Sequence, residues 1–304
     1  MQLGAYSARV SSPRHSILPF LACLAGIALF SAMDAVMKSA SLAIGAYSAY
    51  FLRCAIGFSM IAPVWWWQAR RWPRRDALKV HLKRGVVVAF MGWTFFFALT
   101  RLPLAEAIAL SFIAPLLALY LATVLLGERI KRKAIIAALL GLAGVIVIIG
   151  GRIGRERMSD EAMTGLVALL LSAVLYAWSL VLQRQQALLA SPSEASTFQN
   201  GIAGLVLLGG SPVLLQWPGS QRVWLEISAS AVLAVGAALF LTWAYRRAEA
   251  QALVPIEYTG FLWAALFGWL FFAERVTAST VAGALLIVIG CWIATRARLE
   301  QSAV

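Results

Sequence analysis

The chain is poor in charge: Asp, Glu, Lys and Arg make up 13% of it, about half of what a soluble domain carries. Histidine and cysteine are rarer still, with two and three residues. His15 and His81 lie far apart in sequence, and Cys23, Cys54 and Cys291 each sit inside an apolar run, so neither a metal-ligand set nor a disulfide framework is expected. The cysteines read as small packing residues. A Gly-x-x-x-x-Gly-Lys-Ser/Thr loop is missing, which argues against an ATP-driven pump in one chain. Paired catalytic groups are missing too, and the longest connections, 68–84 and 151–163, are too short for a soluble catalytic domain. Alternating strand patterns are absent, so a β-barrel is not expected. These absences together predict neither an enzyme nor a cofactor or metal.

Long apolar runs fill the space. Apolar residues make up 62% of the chain and its mean hydropathy is +0.82. A helix needs about 20 apolar residues to cross a bilayer. Ten spans are predicted, at 17–37, 44–66, 85–99, 103–126, 134–150, 164–183, 197–215, 229–245, 251–272 and 277–295. The first follows Arg9 and Arg14 as a signal peptide would, but no small-x-small cleavage site follows it, so it is expected to be retained. The net charge of +13 is not read as nucleic-acid binding, because the basic residues flank spans instead of forming one soluble face. Most of the 26 Lys and Arg residues fall on the cytoplasmic side if the N-terminus is inside. His81 and the basic run from Arg70 to Arg84 are read as part of that flank, and Lys38 as lying outside. Both termini are then cytoplasmic, with the lipid bilayer as partner.

The chain also repeats itself at an offset of 146 residues. Leu126-Gly127-Glu128-Arg129-Ile130 returns as Phe272-Ala273-Glu274-Arg275-Val276, Lys38 falls on Arg184, and Phe97-Ala98 falls on Trp243-Ala244. Five spans per copy is an odd number, so the copies enter the membrane in opposite senses, an inverted repeat. The expected organisation is a tail at 1–16, a first repeat at 17–150, a linker at 151–163, a second repeat at 164–297 and a tail at 298–304. The fold class is an all-α integral membrane protein of ten transmembrane helices.

Ionisable side chains within hydrocarbon are functional candidates by default. Glu257 leads, two residues after Pro255, whose missing N–H frees backbone groups inside a helix. It either binds a substrate amine, carries a proton, or makes a polar inter-helix bond. Its counterpart at the offset is Ser111, so the symmetry breaks there. Glu106 follows Pro103 in a first helical turn, where the macrodipole favours it without any transport role. Asp34 and Arg53 lie in adjacent spans and are expected to pair, as an outer gate or as a brace.

Aromatic residues divide by position. Trp65-Trp66-Trp67, Trp217 and Trp224 read as interface belts. Trp93, Tyr120, Tyr176, Trp178, Trp243, Tyr258 and Trp263 fall within spans, where ring faces suit apolar or cationic solutes or simply pack. Ala137, Gly141 and Gly144 align with Gly283, Ile287 and Gly290, a small-residue spacing that lets helix backbones approach. The fifth and tenth helices are therefore assigned to scaffold or homodimer contacts.

Two blocks carry a resemblance to a known family. One runs Leu104-Ala105-Glu106-Ala107-Ile108-Ala109-Leu110, Ala114-Pro115-Leu116 and Gly127-Glu128-Arg129. The other runs Pro255-Ile256-Glu257-Tyr258, Trp263-Ala264-Ala265-Leu266-Phe267-Gly268-Trp269 and Ala273-Glu274-Arg275, with Phe261 where a proline is expected opposite Pro115. The chain resembles the drug/metabolite transporter superfamily, in particular its EamA-type ten-helix members. That resemblance implies a basket-like bundle with a central cavity lined by helices 1, 3, 4, 6, 8 and 9. It implies a bacterial inner-membrane protein with a small-molecule substrate, and Glu257, Tyr258, Trp93, Tyr176, Trp178 and Trp243 fall on its cavity-type helices. From the residues themselves Ser111 joins them as a binding candidate, and Glu257, Glu106, Asp34 and Arg53 are the proton or gate candidates. Export of amino acids or related compounds is the expected function, and uptake of S-adenosylmethionine or another cationic metabolite is the rival.

Overall fold

In hydrocarbon each backbone N–H and C=O needs a partner within the protein, and a helix supplies all of them locally. The computed structural model describes residues 17–69, 71–114, 116–117, 132–153, 159–245, 247, 253 and 256–302. Among them the regular elements are helices and no strand occurs. They are α1 (Leu18–Ile44), α2 (Ala46–Ala69), α3 (Arg75–Leu99), α4 (Leu104–Ser111), α5 (Arg132–Ile153), α6 (Asp160–Leu189), α7 (Pro192–Leu208), α8 (Ser211–Leu214), α9 (Gln221–Tyr245), α10 (Gly260–Phe272) and α11 (Ala278–Ser302). Pro115, Tyr120, Glu128, Arg129, Pro255 and the tail at 1–16 lie outside the described residues.

Among the described residues, five stretches are long and apolar enough to cross a membrane: Leu18–Ile44, Ala46–Ala69, Arg75–Leu99, Asp160–Gln183 and Gln221–Leu241. Local chemistry explains where several helices begin and end. Gly45 sits at φ 81°, so one residue reverses the chain between α1 and α2 where a Cβ would be strained. Ser159 and Ser191 cap α6 and α7, accepting from the N–H groups of Ala162 and Glu194 at 3.2 and 3.3 Å. Leu142, Ile146, Leu205, Leu266 and Leu285 are exposed, an outer surface suited to lipid and not to water.

The most extensive helix contacts are α5 with α11, α1 with α9, α3 with α6, and α2 with α7. The offset of 146 residues carries α1 onto α6, α2 onto α7 with α8, α3 onto α9, and α5 onto α11. Under that exchange the α1–α9 contact becomes the α6–α3 contact. The α2–α7 and α5–α11 contacts map onto themselves.

Three charge placements differ from the sequence reading. Helix α3 begins at Arg75 instead of at residue 85, so His81 and Arg84 belong to a packed helix and not to a basic flank. His81 is fully buried: its Nε2–H donates to Glu194 at 3.0 Å, while Nδ1 accepts from the Gln186 amide at 2.6 Å. Its ring stacks on Phe198 at 4.8 Å. Lys38 is not an exposed residue after the first span but a buried one inside α1. Trp65, expected at the interface, is buried among Trp66, Trp72 and Phe198. Hydropathy missed these placements because helical hydrogen bonding continues through polar turns when neighbouring helices supply partners. His81→Leu strands Glu194 and Gln186, each costing about 1–3 kcal/mol. A lower unfolding midpoint in detergent, followed by tryptophan fluorescence, is the expected result.

Candidate functional site

Five elements bring ionisable groups together. Asp34 on α1 lies within electrostatic reach of Arg53 on α2. Tyr176 on α6 lies within reach of Asp34, of Arg84 on α3 and of Glu257 just before α10. Tyr50 on α2 links the two cations, sensing both Arg53 and Arg84. Its hydroxyl donates to the Val88 carbonyl at 3.0 Å, which fixes α2 against α3. Ser31 on α1 donates to the Gly260 carbonyl at 3.4 Å and holds the start of α10 nearby. The result is a pair of guanidinium groups and a pair of carboxylates, all partly buried, around the buried Tyr50 and the more exposed Tyr176.

The two arginines are held differently. Arg84 donates from Nη1 to Gln186 and from Nη2 to Gln183 at 3.2 Å, both on α6. Arg53 lies over aromatic faces, 5.6 Å from the Tyr50 ring centre and 5.9 Å from that of Phe96. The ion pairs found among the described residues, within 4 Å, do not include Asp34 with Arg53. The two are near neighbours, not a closed pair. The Nε atoms of Arg53 and Arg84 are buried without a hydrogen-bond partner.

The aromatic candidates scatter. Tyr258 meets Phe112 edge-on at 5.3 Å, next to Ser111, whose hydroxyl donates back to the Ala107 carbonyl at 2.9 Å. Trp93 stands edge-on to Tyr47 at 5.4 Å within the main core. Tyr176 and Trp178 are two residues apart on one helix, so they point to nearly opposite faces. Trp243 lines an open apolar groove of about 570 Å³ between α1 and α9, with Leu18, Leu21, Ala22, Ala25, Leu239 and Phe240. Arg247 lies 4.1 Å over its ring.

A second charged cluster joins the ends of α1, α4 and α10. The Lys38 ammonium donates to the Leu102 carbonyl at 2.7 Å and forms an ion pair with Glu274. The other Glu274 oxygen accepts from the Leu104 N–H at 2.6 Å, satisfying an orphan donor at the start of α4. Glu106 is buried close by, within electrostatic reach of Lys38. Local structure aims Glu274. The N–H of Ala273 bonds to Trp269 at 3.1 Å and that of Glu274 to Gly268 at 3.0 Å, a helix-ending turn with Ala273 at φ 52°. Gly268 leaves the room: a Cβ there would meet the Glu274 carboxylate at 2.7 Å.

The sequence reading had Glu106 and Glu274-Arg275 in hand but not their partner. The repeat held a usable signal, since Lys38 with Arg184 and Glu274 with Glu128 keep their charge signs at the same offset. Among the described residues no group of three or more His, Cys, Asp or Glu is arranged to hold a metal.

Comparison with known proteins adds a family. A profile of the EamA-like transporter family matches residues 17–150 and again residues 163–296. The chain is 31% identical over 274 residues to the pseudopaline exporter of Pseudomonas aeruginosa, covering 88% of this chain and 93% of that one. It is 31% identical over 180 residues to the aromatic amino acid exporter of Ancylobacter novellus, covering 55% and 59%. It is 21% identical over 266 residues to the S-adenosylmethionine uptake transporter of Rickettsia felis, covering 85% of each. One solved crystal structure superposes on 93% of this chain and 98% of its own with a TM-score of 0.62 at 22% identity, a likeness of fold.

Proposed function

Since the chain belongs to the EamA-like transporter family, and is thereby a small-molecule transporter of the membrane, we propose that it exports amino acids or amino-acid-like metabolites by alternating access. The transport unit is two inverted five-helix repeats, 17–150 and 164–297, rocking around a site near the bilayer midplane with both termini in the cytoplasm. The exchange of helix contacts under the 146-residue offset supports that arrangement.

One observation carries the solute class. Two arginines, two carboxylates and a tyrosine converge from five elements in a protein with little internal charge. Ionisable groups at that depth are costly and are retained for function. Charges of both signs beside aromatic rings suit a zwitterion that has an apolar or aromatic side chain. Similarity to exporters of pseudopaline and of aromatic amino acids agrees with that class.

The test is counterflow by purified protein in liposomes against a panel of amino acids and S-adenosylmethionine, with and without a pH gradient. Exchange of at least one amino acid is expected, and none moving would overturn the reading. Flux in oriented vesicles separates export from uptake. If Glu257 is the proton carrier, Glu257→Gln abolishes gradient-driven flux and spares exchange; if it binds the substrate amine, both are lost. Equal loss or equal retention of both would remove that role.

A further inference from the structure

We infer that Arg53 is the anchoring group for a carboxylate of the transported solute. The inference rests on the export reading above and narrows it: the substrate must carry a carboxylate, not only an amine. Four cations among the described residues are buried or partly buried, Lys38, Arg53, Arg84 and Arg101, and their surroundings separate them. Arg101 lies over Phe97 but is committed through Nη1 to the Phe97 carbonyl at 3.3 Å and the Thr100 hydroxyl at 2.9 Å. Lys38 is committed, to the Glu274 carboxylate and the Leu102 carbonyl. Arg84 is largely committed, through both Nη atoms, to Gln183 and Gln186. Arg53 instead has the faces of Tyr50 and Phe96 beneath it, and no ion pair within 4 Å is found for it among the described residues.

Ring faces hold a guanidinium in place without using its N–H donors. A ring face offers no lone-pair acceptor, so donors not aimed at a ring stay available to an oxygen pair. Arg53 Nε is buried and has no hydrogen-bond partner, as is true of Arg84 and Arg101, but only for Arg53 do the Nη atoms also lack a hydrogen bond found among the described residues. A buried donor left unmade is costly, and a carboxylate is the group whose spacing matches the guanidinium fork. Tyr50 is held in turn by its bond to the Val88 carbonyl and by Phe96, whose ring centre is 5.4 Å away, so the platform is rigid.

Asp34 completes the device. It sits in electrostatic reach of Arg53 but outside an ion pair. A carboxylate of the protein is thereby poised beside the position assigned to the carboxylate of the solute. Glu257, within electrostatic reach of Tyr176, is the second carboxylate of the same constellation and would receive an ammonium.

The experiment compares acids with their amides. Wild-type protein in liposomes is assayed by counterflow with each amino acid and its α-carboxamide, which keeps the amine and side chain but removes the negative charge. Acids are expected to be preferred by at least about tenfold, the scale of a charge-assisted hydrogen bond. Arg53→Gln is expected to bring that preference close to one, and Arg53→Lys, which keeps the charge but loses the fork, to reduce it severalfold. Unfolding midpoints are measured alongside; if Arg53→Gln does not fold, Arg53→Lys decides. If wild-type protein moves amides as readily as acids, the carboxylate site falls and the transporter reading stands. If either folded variant keeps the wild-type preference, the site is elsewhere. If no acid and no amide moves, the export reading itself fails and the site falls with it.

Discussion

Glu274→Ala is expected to destabilise the protein by about 3–5 kcal/mol, the cost of stranding one partner of a buried ion pair. Lys38 is buried within α1, and Glu274 supplies its ion pair. The same carboxylate satisfies the Leu104 N–H, so the substitution also uncaps α4. Glu274→Gln separates the two effects: it keeps an acceptor for Leu104 and removes the charge, so a smaller loss is expected. Glu106 remains within electrostatic reach of Lys38 and moderates both variants. Lys38→Met in the Glu274→Gln background removes the stranded charge and is expected to recover part of the loss. A double-mutant cycle from unfolding midpoints in detergent measures the coupling. A coupling near zero would mean that the pair contributes nothing as a pair. Because the pair ties α1 to the turn between α10 and α11, transport is expected to fall more in Glu274→Ala than in the double variant.

How much of this was legible in the sequence depended on whether the cause was local. Apolar runs identify a helix because length and composition are properties of the segment itself. Helix ends were less legible. Helix α9 begins at Gln221, not at residue 229, and α3 at Arg75, not at residue 85. Polar side chains do not end a helix when partners across the bundle satisfy them, as Gln183 and Gln186 do for Arg84. The continuity of α1 through Lys38 has the same cause, since the partner Glu274 is 236 residues away.

The candidate site was legible in its members and not in its geometry. Asp34, Arg53, Tyr176 and Glu257 stand out as ionisable or polar groups in apolar spans. Arg84 was hidden in a basic run that reads as a topology signal. The division of labour between Arg53, held on ring faces, and Arg84, held by amides, depends on contacts between α2, α3 and α6 that no spacing records. Pairing Glu106 with Lys38 and Glu274, apart from Glu257, likewise required the fold.

The second large effect is expected at the α5–α11 contact, where Gly144→Val should cost about 3 kcal/mol, the upper end of ordinary overpacking. A Cβ at Gly144 would stand 2.5 Å from the Gly283 carbonyl oxygen and 2.6 Å from Ile287 Cγ1. The approach is reciprocal, since a Cβ at Gly283 would stand 2.5 Å from the Gly144 carbonyl oxygen and 2.4 Å from Ile148 Cγ1. A carbonyl cannot rotate away as a flexible side chain can, so the helices must separate along their length. The small-residue faces expected to make scaffold or dimer contacts thus meet each other within one chain. Size-exclusion chromatography with light scattering, beside unfolding in detergent, distinguishes the two uses. A lowered unfolding midpoint at unchanged mass is the expected result; loss of a dimer with an unchanged midpoint would assign the face to a second copy. Gly150→Ala is the control on the same helix, because a Cβ there meets nothing within 4 Å. With no clash to offset it, the higher helix propensity of alanine is expected to leave that variant as stable as the parent, or slightly more so. Opposite outcomes at two glycines six residues apart would locate the cost in the backbone approach and not in glycine as such.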